Sequence, residues 1–186
     1  MAWNNTNNIG PKKYTCGYCG DQVASAIGYF ESVSGSPVPS NIFVCPSCSR
    51  PTYFGFDGVR NPGVAPGKDV QHLPAEISSL YGEARKCSGI GAYTSTVLAC
   101  RKLLMNIAVS HGAKEGESFV SYVEYLSTAG FVPPNGKGWV DYIRKKGNEA
   151  THEIALMTED DATRLLAFVE MLLKFIYEFP AAIPAP

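Results

Sequence analysis

Hydrophobic positions along this chain change their period near residue 73. Before it they come in short runs rich in β-branched and aromatic side chains, Val23–Phe30, Ile42–Val44 and Thr52–Phe56, each of which reads as a strand. Gly35-Ser36-Pro37-Val38-Pro39-Ser40 separates the first two as a loop. After residue 73 the apolar positions recur at three- and four-residue steps, the mark of helices that bury one face. Pro74 opens a helix to about Cys87, with Ile77, Leu80, Tyr81 and Ala84 on one side. A second runs from about Ala92 to His111 on Val97, Cys100, Leu104, Ile107 and Ala108. Ser118 caps a third over Phe119–Ala129, with Val120, Val123 and Leu126 inward, and Gly130 stops it. Pro133-Pro134-Asn135-Gly136 is a turn. Thr158 followed by Glu159, Asp160 and Asp161 starts a last helix reaching Glu178.

This pattern gives an α+β chain: a small β module over residues 1–56, a linker over 57–72, an all-α bundle over 73–180 and a tail over 181–186. The linker assignment rests on three glycines and two prolines between Asp57 and Leu73, too many for a long helix or strand. The last helix is apolar on more than one side, through Leu165, Leu166, Phe168, Val169, Met171, Leu172, Leu173, Phe175 and Ile176. Such a helix is central in its own bundle or packs against a second subunit. Glu170, Lys174 and Glu178 draw a polar stripe along it and exclude burial in lipid.

Bulk properties narrow the reading further. Hydrophobic residues make up 45% and charged residues 18% of the 186, so the chain folds and is not disordered. The formal net charge of −1 excludes an indiscriminate polycation but leaves room for a local nucleic-acid footprint. The opening MAWNNTNNIGPKKY has no apolar run, so we expect a cytoplasmic protein with no membrane partner and with reduced thiols.

In that setting paired cysteines point to metal. Cys16-Gly-Tyr-Cys19 and Cys45-Pro-Ser-Cys48 are two C-x-x-C pairs. Each can form a tight knuckle, and two knuckles place four sulfurs around one tetrahedral ion, the arrangement zinc accepts. We therefore expect one structural zinc per chain. A site closed by four protein ligands has no position for water and is not catalytic. A redox pair needs no second C-x-x-C. Together with the strands this resembles a zinc ribbon, whose core is too small to stand without its metal. Tyr14, Tyr18, Tyr53, Phe54 and Phe56 supply either a stacking surface or that core and its contact with the next domain.

The other chemistry is in Tyr142–Met157. Arg144, Asn148 and His152 are spaced four apart, so a continuous helix would stack a cation, an amide and an imidazole on one ridge. Gly147 weakens such a helix, and the alternative is two short helices jointed there, or a plain solvated surface turn. Lys145 and Lys146 add charge. Arg101 borders the buried face of the second helix and calls for an acidic or phosphate partner.

The runs EARKCSGIGAYTSTVLACRKLLM, WVDYIRKKGNEATHE and EDDATRLLAFVEMLLKFIYEF resemble, over about residues 73–180, a family of unknown function found in bacterial and phage proteins. That family also occurs fused to restriction-type nuclease subunits and is grouped with the HEPN helical bundles. The resemblance implies a HEPN-like bundle acting as a homodimer, with metal-independent ribonuclease action among the activities it allows. There His152 is the general base, Asn148 orients the reacting group, and Arg144, Lys146 or Arg101 steadies the phosphoryl charge. The family's arginine, four to six residues before the histidine, is matched here only by Lys146; the position beside Asn148 is Gly147. That departure favours a homodimer that binds RNA, DNA or a protein partner in a defence, restriction or phage-related setting, with Arg101, Lys145 and Lys146 as nucleic-acid contacts. Metal-independent RNA cleavage is the alternative.

Overall fold

The structure, a computed structural model, describes residues 3–31, 34, 39–133, 136, 138–143 and 156–183. The loop expected at 35–40 and the turn at 133–136 fall largely outside this set. The chain divides into two compact units, residues 1–65 and 66–186.

The first unit is a five-stranded antiparallel sheet in sequential order: β1 (Asn7–Thr15), β2 (Gln22–Glu31), β3 (Ser40–Val44), β4 (Pro51–Phe54) and the two-residue β5 (Arg60–Asn61). The three strands read from hydrophobic runs are present. β1 carries too little apolar signal to be read that way, since Tyr14 is its one buried residue. It is an edge strand with a register shift between Asn8 and Lys12, and with Pro11 and two lysines, all features that blunt a sheet edge.

Neighbouring residues on a strand face opposite sides, and directly paired residues share a side. Tyr14 pairs with Val23, Phe43 with Thr52, and Phe54 with Arg60. These form the inner face, where the Tyr14 ring lies 6.0 Å from Phe43 and 5.3 Å from Phe54. Tyr29, Ile42 and Tyr53 form a cross-strand row on the outer face. The aromatic residues singled out in the sequence are thus divided, with Tyr14 and Phe54 in the core and Tyr53 outside it.

The second unit is helical: α1 (Ala75–Gly89), α2 (Tyr93–Ser110), α3 (Phe119–Thr128) and α4 (Glu159–Leu173), with residues 138–143 also helical. α2 is central, packing against α1, α3 and α4, and Leu103, Leu104 and Ile107 on it are fully buried. α3 turns Phe119, Tyr122, Val123 and Leu126 inward and leaves Val120 half-buried. That set is the i, i+3, i+4, i+7 stripe begun at Phe119. Beyond Leu173 the helix widens into a π-turn over Lys174–Glu178 before a last turn at Phe179–Ala181. Pro180 explains the widening: it has no N–H to donate and its ring crowds the carbonyl four residues back.

Residues 57–72 are drawn into both units. Arg60 and Asn61 pair with β4, while residues 66–71 lie along the second unit. Glu170 accepts the Lys68 N–H at 3.0 Å and Glu178 accepts the Gln71 N–H at 2.7 Å. Arg85 donates to the carbonyls of Pro66 at 2.9 Å and Gly67 at 3.0 Å, and pairs with Asp69. Two residues of the polar stripe, Glu170 and Glu178, therefore hold backbone donors, and Lys174 pairs with Glu170. Among the described residues no helix is long and apolar enough to cross a membrane.

Candidate metal centre and the flanks of the basic stretch

Each C-x-x-C pair sits on a turn at the end of a hairpin strand, and the two turns repeat one set of hydrogen bonds. In the first, the Cys16 N–H donates to Asp21 O at 2.8 Å and the Gly20 N–H donates to Cys16 O at 2.9 Å. In the second, the Cys45 N–H donates to Arg50 O at 3.0 Å and the Ser49 N–H donates to Cys45 O at 2.8 Å. The fourth residue after each leading cysteine has positive φ, +78° at Gly20 and +57° at Ser49. Glycine takes that conformation freely, and serine takes it here because the same turn demands it. Gly17 has a different reason: a β-carbon there would meet the carbonyl oxygens of Pro62 and Gly63.

The four sulfurs converge. All lie within 4.8 Å of one another, with Cys16 to Cys48 at 3.7 Å and Cys19 to Cys45 at 3.8 Å. A tetrahedron of sulfurs about 2.3 Å from zinc has edges of about 3.8 Å. The donor set and spacing therefore fit a metal ion such as zinc. Cys16 and Cys45 are fully buried. Burial pushes the Cys16 thiol up, but N–H groups of Cys19 and Tyr18 and neighbouring thiols outweigh it and bring it down to about 7. Cys19 is driven the other way, to about 12, by burial and by the thiols beside it. Four sulfurs sharing one site ionise as a coupled set, and a divalent cation relieves their repulsion. Such a metal would hold the two turns together; with all four positions taken by protein it would offer none to a substrate.

Of the other expected site residues, Arg144, Lys145, Lys146, Asn148 and His152 lie outside the described residues. Their flanks are described and are tied to each other. Tyr142 donates through its hydroxyl to Asp161 Oδ1 at 2.7 Å. Asp161 Oδ2 also accepts the Thr158 N–H at 3.1 Å, and Thr158 Oγ1 accepts the Asp161 N–H at 3.2 Å, a capping box with aspartate at its third position. Burial first, then the Asp161 carboxylate, raises the Tyr142 hydroxyl well above the ordinary tyrosine range. The Met157 N–H donates to Thr94 Oγ1 at 3.1 Å. A hollow of about 410 Å³ beside these flanks is lined by Gly138, Trp139, Tyr142 and Arg164. Arg164 is 5.6 Å from the centre of the Tyr142 ring and pairs with Asp160 at 2.7 Å. The Thr158 signal was legible in sequence. The Tyr142–Asp161 bond, spanning nineteen residues, has no local signal.

Arg101 stands apart. Its guanidinium lies 4.3 Å from the centre of the Phe119 ring. Its Nη1 is buried without a hydrogen-bond partner, and burial lowers its basicity. The acidic partner expected from its place beside a buried stripe is not supplied by any described residue.

No curated protein and no solved structure matches the chain. A family described as "Domain of unknown function (DUF4145)" matches residues 82–183. The match begins inside α1 and leaves the cysteine-bearing sheet outside it. Because it takes in more than half of the 186 residues, the chain belongs to the DUF4145 family.

Proposed function

We propose that this is a homodimeric protein whose zinc-ordered N-terminal ribbon binds single-stranded nucleic acid without cleaving it, carried on a HEPN-like helical bundle. The observation that supports the reading most is the register of the sheet. Tyr29, Ile42 and Tyr53 lie in one row on the face opposite the core, half-buried, with the Trp3 ring 6.3 Å from Tyr29. Trp3 is fixed from behind by its indole N–H, which donates to Ser49 O at 2.7 Å. Rigid rings spread at strand spacing are a surface on which successive bases stack, whatever their identity. Lys13, opposite in side to the core residue Tyr14, and Arg50, 5.2 Å from the centre of the Tyr18 ring, bring charge to the same module.

The helical half adds two supports. Arg101, stacked on Phe119 and without an acid among the described residues, suits a phosphate oxygen. Phe175 and Phe179 are exposed four residues apart on the last helical turns, with Ile183 exposed two residues beyond the helix end, an apolar patch of the kind a second copy covers. The defence, restriction or phage-related setting rests on the family resemblance.

The test is anisotropy of a short labelled single-stranded oligonucleotide titrated with the protein at two salt concentrations. Stacking is worth about 1–3 kcal/mol per base, so Tyr29→Ala with Tyr53→Ala should weaken binding by roughly thirtyfold or more, with the melting of the helical unit unchanged. Wild-type affinity in the double variant removes the platform. No salt-dependent binding by the wild-type protein turns the reading to a protein partner.

A further inference from the structure

Five buried side-chain atoms of the described residues have no hydrogen-bond partner: Tyr14 Oη, Thr52 Oγ1, Arg60 Nε, Arg60 Nη2 and Arg101 Nη1. Four of them lie in the small sheet. The register puts their three residues on its inner face, because Thr52 opposes Phe43, Arg60 opposes Phe54, and the Tyr14 ring packs on both phenylalanines. The Arg60 guanidinium carbon is 5.3 Å from the centre of the Phe54 ring and 5.8 Å from that of Tyr14. Buried polar atoms are nearly always paired. Four orphans on one face of so small a sheet therefore call for a cause within it.

That face leads to the sulfurs. Cys16 lies two residues beyond Tyr14 and Cys45 two beyond Phe43, so both strands carry the inner face into the metal-binding turns. Tyr14, Phe43, Cys16 and Cys45 are buried together in one cluster, and the Arg60 guanidinium lies against its Tyr14 ring. Four thiolates around a divalent cation carry a net charge of 2−, partly out of water. A buried charge requires a counter-charge or donors aimed at it, and groups behind the ligands tune a metal site by supplying them.

We infer that Arg60, acting with the Tyr14 hydroxyl, is the charge-compensating outer shell of the four-cysteine centre. The inference rests on the metal reading proposed above. Neither residue is a ligand. The guanidinium lies over the rings with Nε and Nη2 left without acceptors among the described residues, on the face that the two strands carry into the cysteine turns. Lys12, whose ammonium is 4.6 Å from the Phe54 ring on the same face, is solvent-exposed and is the natural control.

The experiment uses the full chain loaded with zinc, with affinity read by competition against a chromophoric chelator, and with cobalt(II) substitution to report the ligand set. Arg60→Met keeps a long apolar stem on Phe54 and Tyr14 and removes the charge. It should weaken zinc binding by about 10- to 100-fold, with the four-thiolate cobalt spectrum unchanged in shape. Arg60→Lys should restore most of the loss. The deficit of the Met variant should shrink as salt rises, and Lys12→Met should bind zinc as the wild type does. If Arg60→Met does not fold, Tyr14→Phe keeps the ring and deletes only the hydroxyl, and should cost severalfold in affinity. Equal affinity in wild type, Arg60→Met and Tyr14→Phe would overturn the inference, as would an equal loss in Arg60→Met and Arg60→Lys. A wild-type chain that binds neither zinc nor cobalt would instead remove the metal reading beneath it.

Discussion

Removing the metal should unfold the first unit and spare the second. Among the described residues the buried apolar side chains of the sheet, apart from the cysteines, are Tyr14, Val23 and Phe43. At about 1.5–3 kcal/mol each they contribute about 5–9 kcal/mol. A structural zinc held by cysteines contributes about 10–16 kcal/mol at neutral pH. Without the metal the greater of these two contributions is lost, and four sulfurs are left crowded within 4.8 Å. The helical unit differs, because twenty-five of its described residues are buried in its core and none of the four clustered cysteines is among them. The assay is a chelator titration of the ¹⁵N-labelled full chain followed by NMR. Amide signals of residues 7–61 should collapse toward unfolded positions, those of 75–128 and 159–173 should stay dispersed, and added zinc should restore the first set. Cys45→Ser should give the collapsed state without chelator. Retention of the sheet signals in excess chelator would refute the reasoning, and so would loss of both sets together.

Three other outcomes test separate parts of the picture. Arg101→Met removes a guanidinium nitrogen that is buried without a partner, so urea denaturation should show stability unchanged or higher by about 1 kcal/mol, while nucleic-acid affinity falls; a loss above about 2 kcal/mol would mean that the arginine is paired. Burial works to raise the Glu170 carboxyl, but Lys174 and the Lys68 N–H outweigh it and hold it below its ordinary value. The stability it contributes is therefore fully present above pH 4.5 and lost as the pH falls through its lowered folded value; Glu170→Gln should flatten the acid limb of the melting-temperature profile, and an unchanged profile would contradict the assignment. Finally, the pure protein should leave RNA intact with and without divalent ions. Cleavage that persists in chelator and disappears in His152→Ala would replace the binding reading with the ribonuclease one.

The meeting of Cys16, Cys19, Cys45 and Cys48 was legible in sequence because its geometry is local. Two C-x-x-C pairs each bring their own turn, and a tetrahedral ion then needs only that the turns meet. The helices were legible because a helix that buries one face must repeat its apolar residues every three or four positions, as α2 does from Val97 to Ala108. The cap at Thr158 is likewise a matter of three neighbouring residues.

What the sequence left open is whatever depends on pairing across long separations. β1 has almost no hydrophobic signature because an edge strand with one buried residue is held by its neighbour's backbone, and no side-chain pattern reports that. Which tyrosines enter the core and which face outward depends on register: a shift of one residue would exchange Tyr53 with Phe54. Residues 57–72 look like a linker by composition, yet Glu170 and Glu178, about a hundred residues away, accept their backbone donors. Arg60 reads as one more charge in a loop until β5 lays it on the inner face of the sheet. Local residue preferences act over a few positions and are written in the chain, whereas the partner of a buried donor or ring is set only when distant segments pack.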